Sequence, residues 1–232
     1  CWRMREKVLD MLEASTGGRV IFSVNKIGGV LKDMDKDMLQ SFLKMFDDMA
    51  DDIRRLTNVF LGDYTVESRL KGVGVLSREN AIKYGAVGPM LRASGVKRDT
   101  RKLGYAAYDN IEFDILTSDA CDSFARCDVR IKEIFQSMDI IRQAAEKIPD
   151  GEIATQVKGM PKGEAFFRLE QPRGEAIYYV KANGTRFLDR ARIRTATFAN
   201  ITSLVDILQG CDLADVPIMV LTIDPCVSCT ER

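Results

Sequence analysis

The chain closes on DPCVSCTER, where two cysteines stand three apart, Cys226 and Cys229, behind an Asp224-Pro225 turn. A Cys-x-x-Cys turn aims two sulfurs at one point, and a metal at that point lowers their pKa so that both bind as thiolates. Metal ligation is the leading reading of the pair. A redox disulfide, or two small buried residues without chemistry, are the other readings. An all-thiolate site points by default to zinc or an iron–sulfur cluster, and either takes about four ligands. No second Cys-x-x-Cys occurs in the 232 residues. The remaining donors are therefore expected upstream or on a partner.

Composition narrows the chemistry further. Histidine is absent, which removes the commonest imidazole ligand and proton shuttle and leaves acid–base work to Cys, Asp, Glu, Lys or Tyr. Lys and Arg total 34, as do Asp and Glu, so no overall field draws the chain toward nucleic acid or an anionic membrane. No apolar run approaches the roughly 20 residues of a membrane-spanning helix, and the first residues, CWRMREKVLD, lack the order of a secretory signal. Of six cysteines, Cys1, Cys121, Cys127 and Cys211 stand singly. That usage fits a reducing compartment. The expectation is a soluble, cytosolic chain. Its start without methionine, already in a helical pattern, is expected to mark a fragment cut upstream.

The elements that must position the thiols follow from apolar spacing. Residues 2–14 predict a first helix ended by Gly17-Gly18, followed by the short apolar stretch RVIFSV and a Gly28-Gly29 turn. From 36 to about 61, Leu39, Phe42, Phe46, Met49, Ile53, Leu56 and Phe60 recur at steps of three and four, a long amphipathic helix. Residues 69–96 are glycine-punctuated and read as short helices and turns. Phe124, Cys127, Ile131, Ile134, Met138, Ile141, Ala145 and Ile148 predict a central packing helix stopped by Pro149-Asp150-Gly151. Cys121 and Cys127 at its start are expected in the core, and Asp122 with Arg126 as an i, i+4 ion pair. Alternating stretches on both sides of Asn183-Gly184 predict an antiparallel sheet of two or three strands near residues 165–194. Helix returns from 198 and leads to the thiols. The fold class is α+β, predominantly α: a bundle of long helices with one small antiparallel sheet, within the size of a single domain.

DPCVSCTER resembles the C-terminal Asp-Pro-Cys-x-x-Cys-x-x-(His/Arg) signature of [NiFe] hydrogenase large subunits, and Arg232 at the last position is similar to the membrane-bound, energy-converting (Ech-type) branch. Five further segments are similar, in order and spacing, to that branch and to the homologous large quinone-site subunit of respiratory complex I. They are REKVLDMLEASTGGRVIFSVNKIGGV, AIKYGAVGPMLRASGV, RKLGYAAYDNIEFDI, CDSFARCDVRIKEIFQSMDII and QPRGEAIYYV. The resemblance implies a nickel held by four cysteines, two of which bridge to an iron with CN and CO ligands. Cys226 would be a terminal nickel ligand and Cys229 a bridge between nickel and iron. The other two ligands belong to an Arg-x-Cys-Gly-x-Cys motif that is absent here. Residues 1–232 would thus be the C-terminal part of the domain that forms the hydrogenase large subunit, expected to bind no nickel–iron centre alone and to be inactive in isolation. Cys1 is not expected to be a ligand. Arg173 of QPRGE would reach over the metal pair and Pro172 would line a cyanide pocket. Asp224 would stand near that arginine, and Thr195 or Thr197 would hydrogen-bond the second cyanide. Without the resemblance, PRG reads as a strand-connecting turn and Asp224 as a turn or capping residue.

The implied reaction is H2 ⇌ 2H+ + 2e−, with the Cys226 thiolate accepting the proton. Electrons would leave through a [4Fe–4S] small subunit, and membrane subunits would hold the complex on the inner face of the cell membrane, this chain being cytoplasmic and peripheral. Dihydrogen and protons are the expected substrates, and no nucleic acid is involved. The alternative is a complex I-like quinone-pocket or electron-transfer scaffold without a metal; members of that type have lost the terminal cysteines. A metal-free assembly module is the third option.

Overall fold

Steps of three and four between apolar residues produce the long helices where expected. In a computed structural model that describes residues 2–231, α1 spans Trp2–Thr16 and α2 spans Lys36–Leu61. A small antiparallel ribbon of β1 (Asn25–Lys26) and β2 (Gly29–Val30) lies between them. On α2, Met49 and Ile53 are buried and Leu39, Phe42, Phe46 and Leu56 half-buried, whereas Phe60 at its end is exposed. The glycine-punctuated segment forms α3 (Tyr64–Leu70), α4 (Arg78–Lys83) and α5 (Pro89–Arg92). Asp63 and Ser77 cap the first two, accepting from the Val66 and Asn80 amides at 3.0 and 3.1 Å. Cys1 and Arg232, both singled out above, lie outside the described residues.

α6 spans Ser123–Lys147, and here two expectations are corrected. The tightly buried face near its start holds Ser123, Ala125, Arg126 and Val129, while Phe124, Cys127 and Ile131 are half-buried and Ile134 and Ile141 are 43% and 40% exposed. Apolar spacing marks a stripe by residue type. The closest packing instead falls where small side chains admit a neighbouring backbone and where a polar group has all its partners. The Asp122–Arg126 ion pair does not form. Asp122 closes the first turn of α6, accepting from Ala125 N at 2.8 Å and from Gly72 N at 2.9 Å, and Arg126 turns the other way. Cys121 precedes the helix in a left-handed conformation, φ 62°.

β3 (Lys162–Gln171), β4 (Gly174–Asn183) and β5 (Leu188–Arg194) form one antiparallel sheet in chain order. Its outer end, residues 162–167, is exposed; Gly174, Glu175 and Ala176 at the opposite end are buried. The buried end carries the two-residue turn Pro172-Arg173, closed by the Gln171–Gly174 pair. α7 (Ala196–Ile207), α8 (Val216–Thr222) and α9 (Val227–Thr230) complete the chain. The architecture is α+β and mostly helical. No helix among the described residues is long and apolar enough to cross a membrane.

The chain divides into two compact units, one of residues up to Val59 with Met138–Gly159, the other of Phe60–Ser137 with residues from Met160 onward. Met11, Met49, Ala50, Ile53 and Met138 are the buried apolar residues of the first. The second is built on Leu76, Ala81, Ala86, Met90, Leu91, Ile207 and Ile223, with Ala125 and Val129 of α6 packed on Ala93. Every residue of the candidate site belongs to this second unit.

Candidate functional site

Four pieces of the second unit meet at the thiols: the tip of the β3–β4 hairpin, the start of α7, the loop before α5, and the segment after α8. Gly174 explains why the tip fits. Its φ is +128°, and a Cβ there would stand 2.7 Å from Gly88 N, itself a glycine at φ +66°. Two backbones pass without side chains between them, which only glycine allows. Asn200 of α7 clamps the same loop, accepting from Val87 N at 2.9 Å and donating to Val87 O at 3.2 Å.

That close approach delivers Arg173 to Asp224. Arg173 Nε donates to Asp224 O at 2.6 Å and lies 3.2 Å from Asp224 Oδ2, while Nη2 donates to Oδ1 at 3.3 Å. Asp224 has φ +54°, a left-handed backbone that aspartate tolerates better than most residues. α8 ends immediately before it, and Pro225 follows. Arg173 and Asp224 are both half-buried, and Asp224 lines a cleft. That cleft, about 420 Å3, is lined by Pro172, Asp224, Arg130, Glu133, Glu170 and Arg92 among others.

The thiols follow within one short turn. Cys229 N and Thr230 N donate to Cys226 O at 3.0 and 3.1 Å, which brings both side chains to one side. The Ser228 hydroxyl lies 3.1 Å from Cys226 Sγ. That hydroxyl, the Cys229 thiol and backbone N–H, and the positive charge of Arg173 stabilise the Cys226 thiolate and pull its pKa down to about 7. Cys229 moves the other way because its hydrogen is given to Cys226. Cys226 is thus the more acidic of the two thiols. Both cysteines are free and half-buried.

α7 holds this turn by its first residues. Thr195, which caps α7 by accepting from Phe198 N at 3.3 Å, donates its hydroxyl hydrogen to Cys229 O. Thr197 Oγ1 accepts from Cys226 N at 3.2 Å. The structure therefore gathers Arg173, Asp224, Thr195, Thr197, Cys226 and Cys229 into one corner, with Pro172 beside it in the cleft wall. Cys121 and Cys127 lie elsewhere, both half-buried, with thiol pKa values pushed up by burial. Among the described residues no group of three or more Cys, Asp or Glu stands together as a metal site. The two thiols fit half of a thiolate set, since both are free and stand on one turn.

Sequence reasoning missed Arg130 and gave Arg126 the wrong partner, Asp122 in place of Thr222, Gly74 and Ser123. Their only signal is spacing: the two lie four apart, one turn above the other, and Arg126 is three from the buried Ser123. Basic residues on a helix otherwise read as a solvated face.

The family described as "Respiratory-chain NADH dehydrogenase, 49 Kd subunit" matches residues 1–160 and 154–232, and the chain belongs to it. It is 38% identical over 231 residues to the carbon monoxide-induced hydrogenase of Rhodospirillum rubrum, covering 98% of this chain and 64% of that protein. It is 36% identical over 251 residues to the alpha subunit of the membrane-bound hydrogenase of Pyrococcus furiosus, covering 100% and 58%. With an NADH-quinone oxidoreductase subunit of Desulfitobacterium hafniense the identity is 35% over 218 residues, covering 92% and 59%. The chain spans about three fifths of the length of these curated relatives. By name the relatives form two groups, hydrogenases and quinone oxidoreductase subunits, at similar identity.

Proposed function

We propose that this chain is the C-terminal part of the catalytic large subunit of an energy-converting [NiFe] hydrogenase, interconverting dihydrogen with protons and electrons when the subunit is complete. The observation that carries the reading is the pair of free thiols on one turn, one of them favoured as thiolate, beside the Arg173–Asp224 pair. A quinone-pocket scaffold needs neither thiol. The names of the quinone oxidoreductase relatives favour that second reading, and identity alone does not separate the two.

Cys226 and Cys229 would together hold the nickel–iron pair through their thiolates, supplying two of its four sulfur ligands. The bound metal pair supplies the polarisation that splits dihydrogen heterolytically. Cys226 Sγ would be the base that receives the proton, with the Ser228 hydroxyl 3.1 Å away. Arg173 brings a fixed guanidinium to the same corner, held by Asp224. Asp224 keeps that guanidinium from turning, binding it through both backbone carbonyl and carboxylate. Of the two threonines, Thr197 has a hydroxyl hydrogen left for a cyanide, because Thr195 gives its own to Cys229 O. Electrons would pass to a [4Fe–4S] small subunit, and membrane subunits would anchor the assembly.

Metal analysis tests the reading directly. The complete subunit, purified with its complex, is expected to contain one nickel and one iron at this site and to take up H2, whereas the chain alone binds no stoichiometric nickel. A complete subunit that lacks nickel while its complex reduces quinone selects the scaffold reading.

A further inference from the structure

α6 directs two arginines at the segment that precedes the thiols. Arg126, 1% exposed, donates to Thr222 Oγ1 at 3.0 Å, Gly74 O at 2.9 Å and Ser123 Oγ at 2.7 Å. Arg130, one turn further, donates through Nη2 to Ile223 O at 2.8 Å and through Nε to Thr222 O at 3.3 Å, and its Nη1 lies 3.8 Å from Asp224 Oδ2. Arg173 takes the next carbonyl, Asp224 O. Three consecutive carbonyls, 222 to 224, are thus each held by a guanidinium, two by Arg130 of α6 and one by the hairpin tip.

The grip falls where the backbone needs it. A left-handed non-glycine residue is unfavourable and persists only when its surroundings over-determine it. Asp224 is that residue. It also sets the direction in which Pro225 delivers Cys226. A lysine in place of Arg130 would bring one point charge and no planar fork; a glutamine would bring donors and no charge toward Asp224. Only a guanidinium serves two carbonyls and faces a carboxylate together.

We infer that Arg130 is a positioning residue for the thiol corner, acting with Arg173 from the other side to fix the turn at Asp224 and hence the place of Cys226. Its consequence for turnover rests on the hydrogenase reading; its consequence for the backbone does not. Arg130 is no cap of α8 alone, because it also lines the cleft beside Asp224 and Pro172.

The test compares Arg130→Lys and Arg130→Gln with the parent. In the chain itself, amide hydrogen exchange over residues 223–231 is expected to quicken by about tenfold or more in both variants, with α7 and β4 unchanged. In the complete subunit, kcat for H2 oxidation is expected to fall by about tenfold or more while KM for H2 stays within about twofold, the signature of misplaced reacting groups. Unchanged exchange in both variants overturns the inference. So does uniformly faster exchange across the whole unit, which marks a plain stabilising role, and so does full protection in Arg130→Lys, which marks charge alone. Local loosening in a protein whose complete subunit carries no nickel leaves the positioning role standing and removes the hydrogenase reading instead.

Discussion

Two arginine–carboxylate sites in the same unit use the same chemical groups to opposite ends. At the first, Arg92 is buried among three carboxylates: Glu133 and Glu170 at 2.8 Å and Asp99 at 3.3 Å, with Arg101 adding a 2.6 Å bond to Asp99. At the second, Arg173 and Arg130 flank Asp224, which is 46% exposed, on the edge of a cleft. The first has closed its hydrogen bonds on itself. The second uses its arginines on backbone carbonyls and leaves its carboxylate and the neighbouring thiols open. Both line the same cleft, but the Arg92 cluster is the more buried and the more fully paired of the two.

Breaking the open site should matter most to chemistry. In the complete subunit, Cys226→Ser or Cys229→Ser is expected to reduce H2 oxidation to background while the chain folds as before, and retained turnover in either variant counts against metal ligation. Breaking the closed site should matter to folding. Arg92→Met strands Glu133 and Glu170 without their nearest cation and leaves Asp99 with Arg101 alone, and is expected to cost about 3–5 kcal/mol in urea unfolding; a loss of under about 1 kcal/mol, on the order of an exposed pair, would erase the contrast. Arg173→Lys keeps the charge and loses the fork. Its expected effect is a fall in H2 turnover of roughly a hundredfold with little change in melting temperature, and equal losses of both would make the two sites alike.

The smallest expected effect is a pH dependence. Burial opposes the charge on Asp99, but the hydrogen bond and charge of Arg101 and the charge of Arg92 overcome it and hold its pKa below the ordinary value. The unfolded chain then binds the proton first, so this share of stability is complete above the ordinary aspartate value of about 3.9 and is lost as pH falls through the lower folded one. Glu133, raised chiefly by burial, contributes with the opposite sign, present below its ordinary value and lost as pH rises, and makes the net slope shallower. Acid unfolding midpoints of the parent and of Arg92→Met should therefore differ in slope. Parallel curves would show that the cluster does not titrate as a unit.

Several elements were legible without tertiary structure. α2 begins and ends where its apolar steps do, and its buried face is the predicted one, because an amphipathic helix has one way to hide that stripe. The sheet around Asn183-Gly184 was legible for the same kind of reason, an alternation that only a pleated strand can satisfy. α6 was half legible. Its length followed from the pattern, but its tightest face followed from contacts to Val73, Gly74 and Thr222, residues far along the chain whose approach no local period encodes.

At the thiol corner the division is similar. Residue types and spacing named Cys226 and Cys229, since thiol chemistry is local to a four-residue turn, whereas Arg173 and Asp224 were named only by the resemblance. Tertiary structure decided what surrounds them. A gap at Gly88 and Gly174 sets the hairpin tip beside the turn, two threonines of α7 hold its amide and carbonyl, and Arg130 grips the backbone ahead of Asp224. Sequence alone determines which groups can ionise or ligate, because that is covalent chemistry. Folding alone determines which charges are desolvated and which carbonyls and hydroxyls are already paired, because those depend on distances between residues remote in the chain.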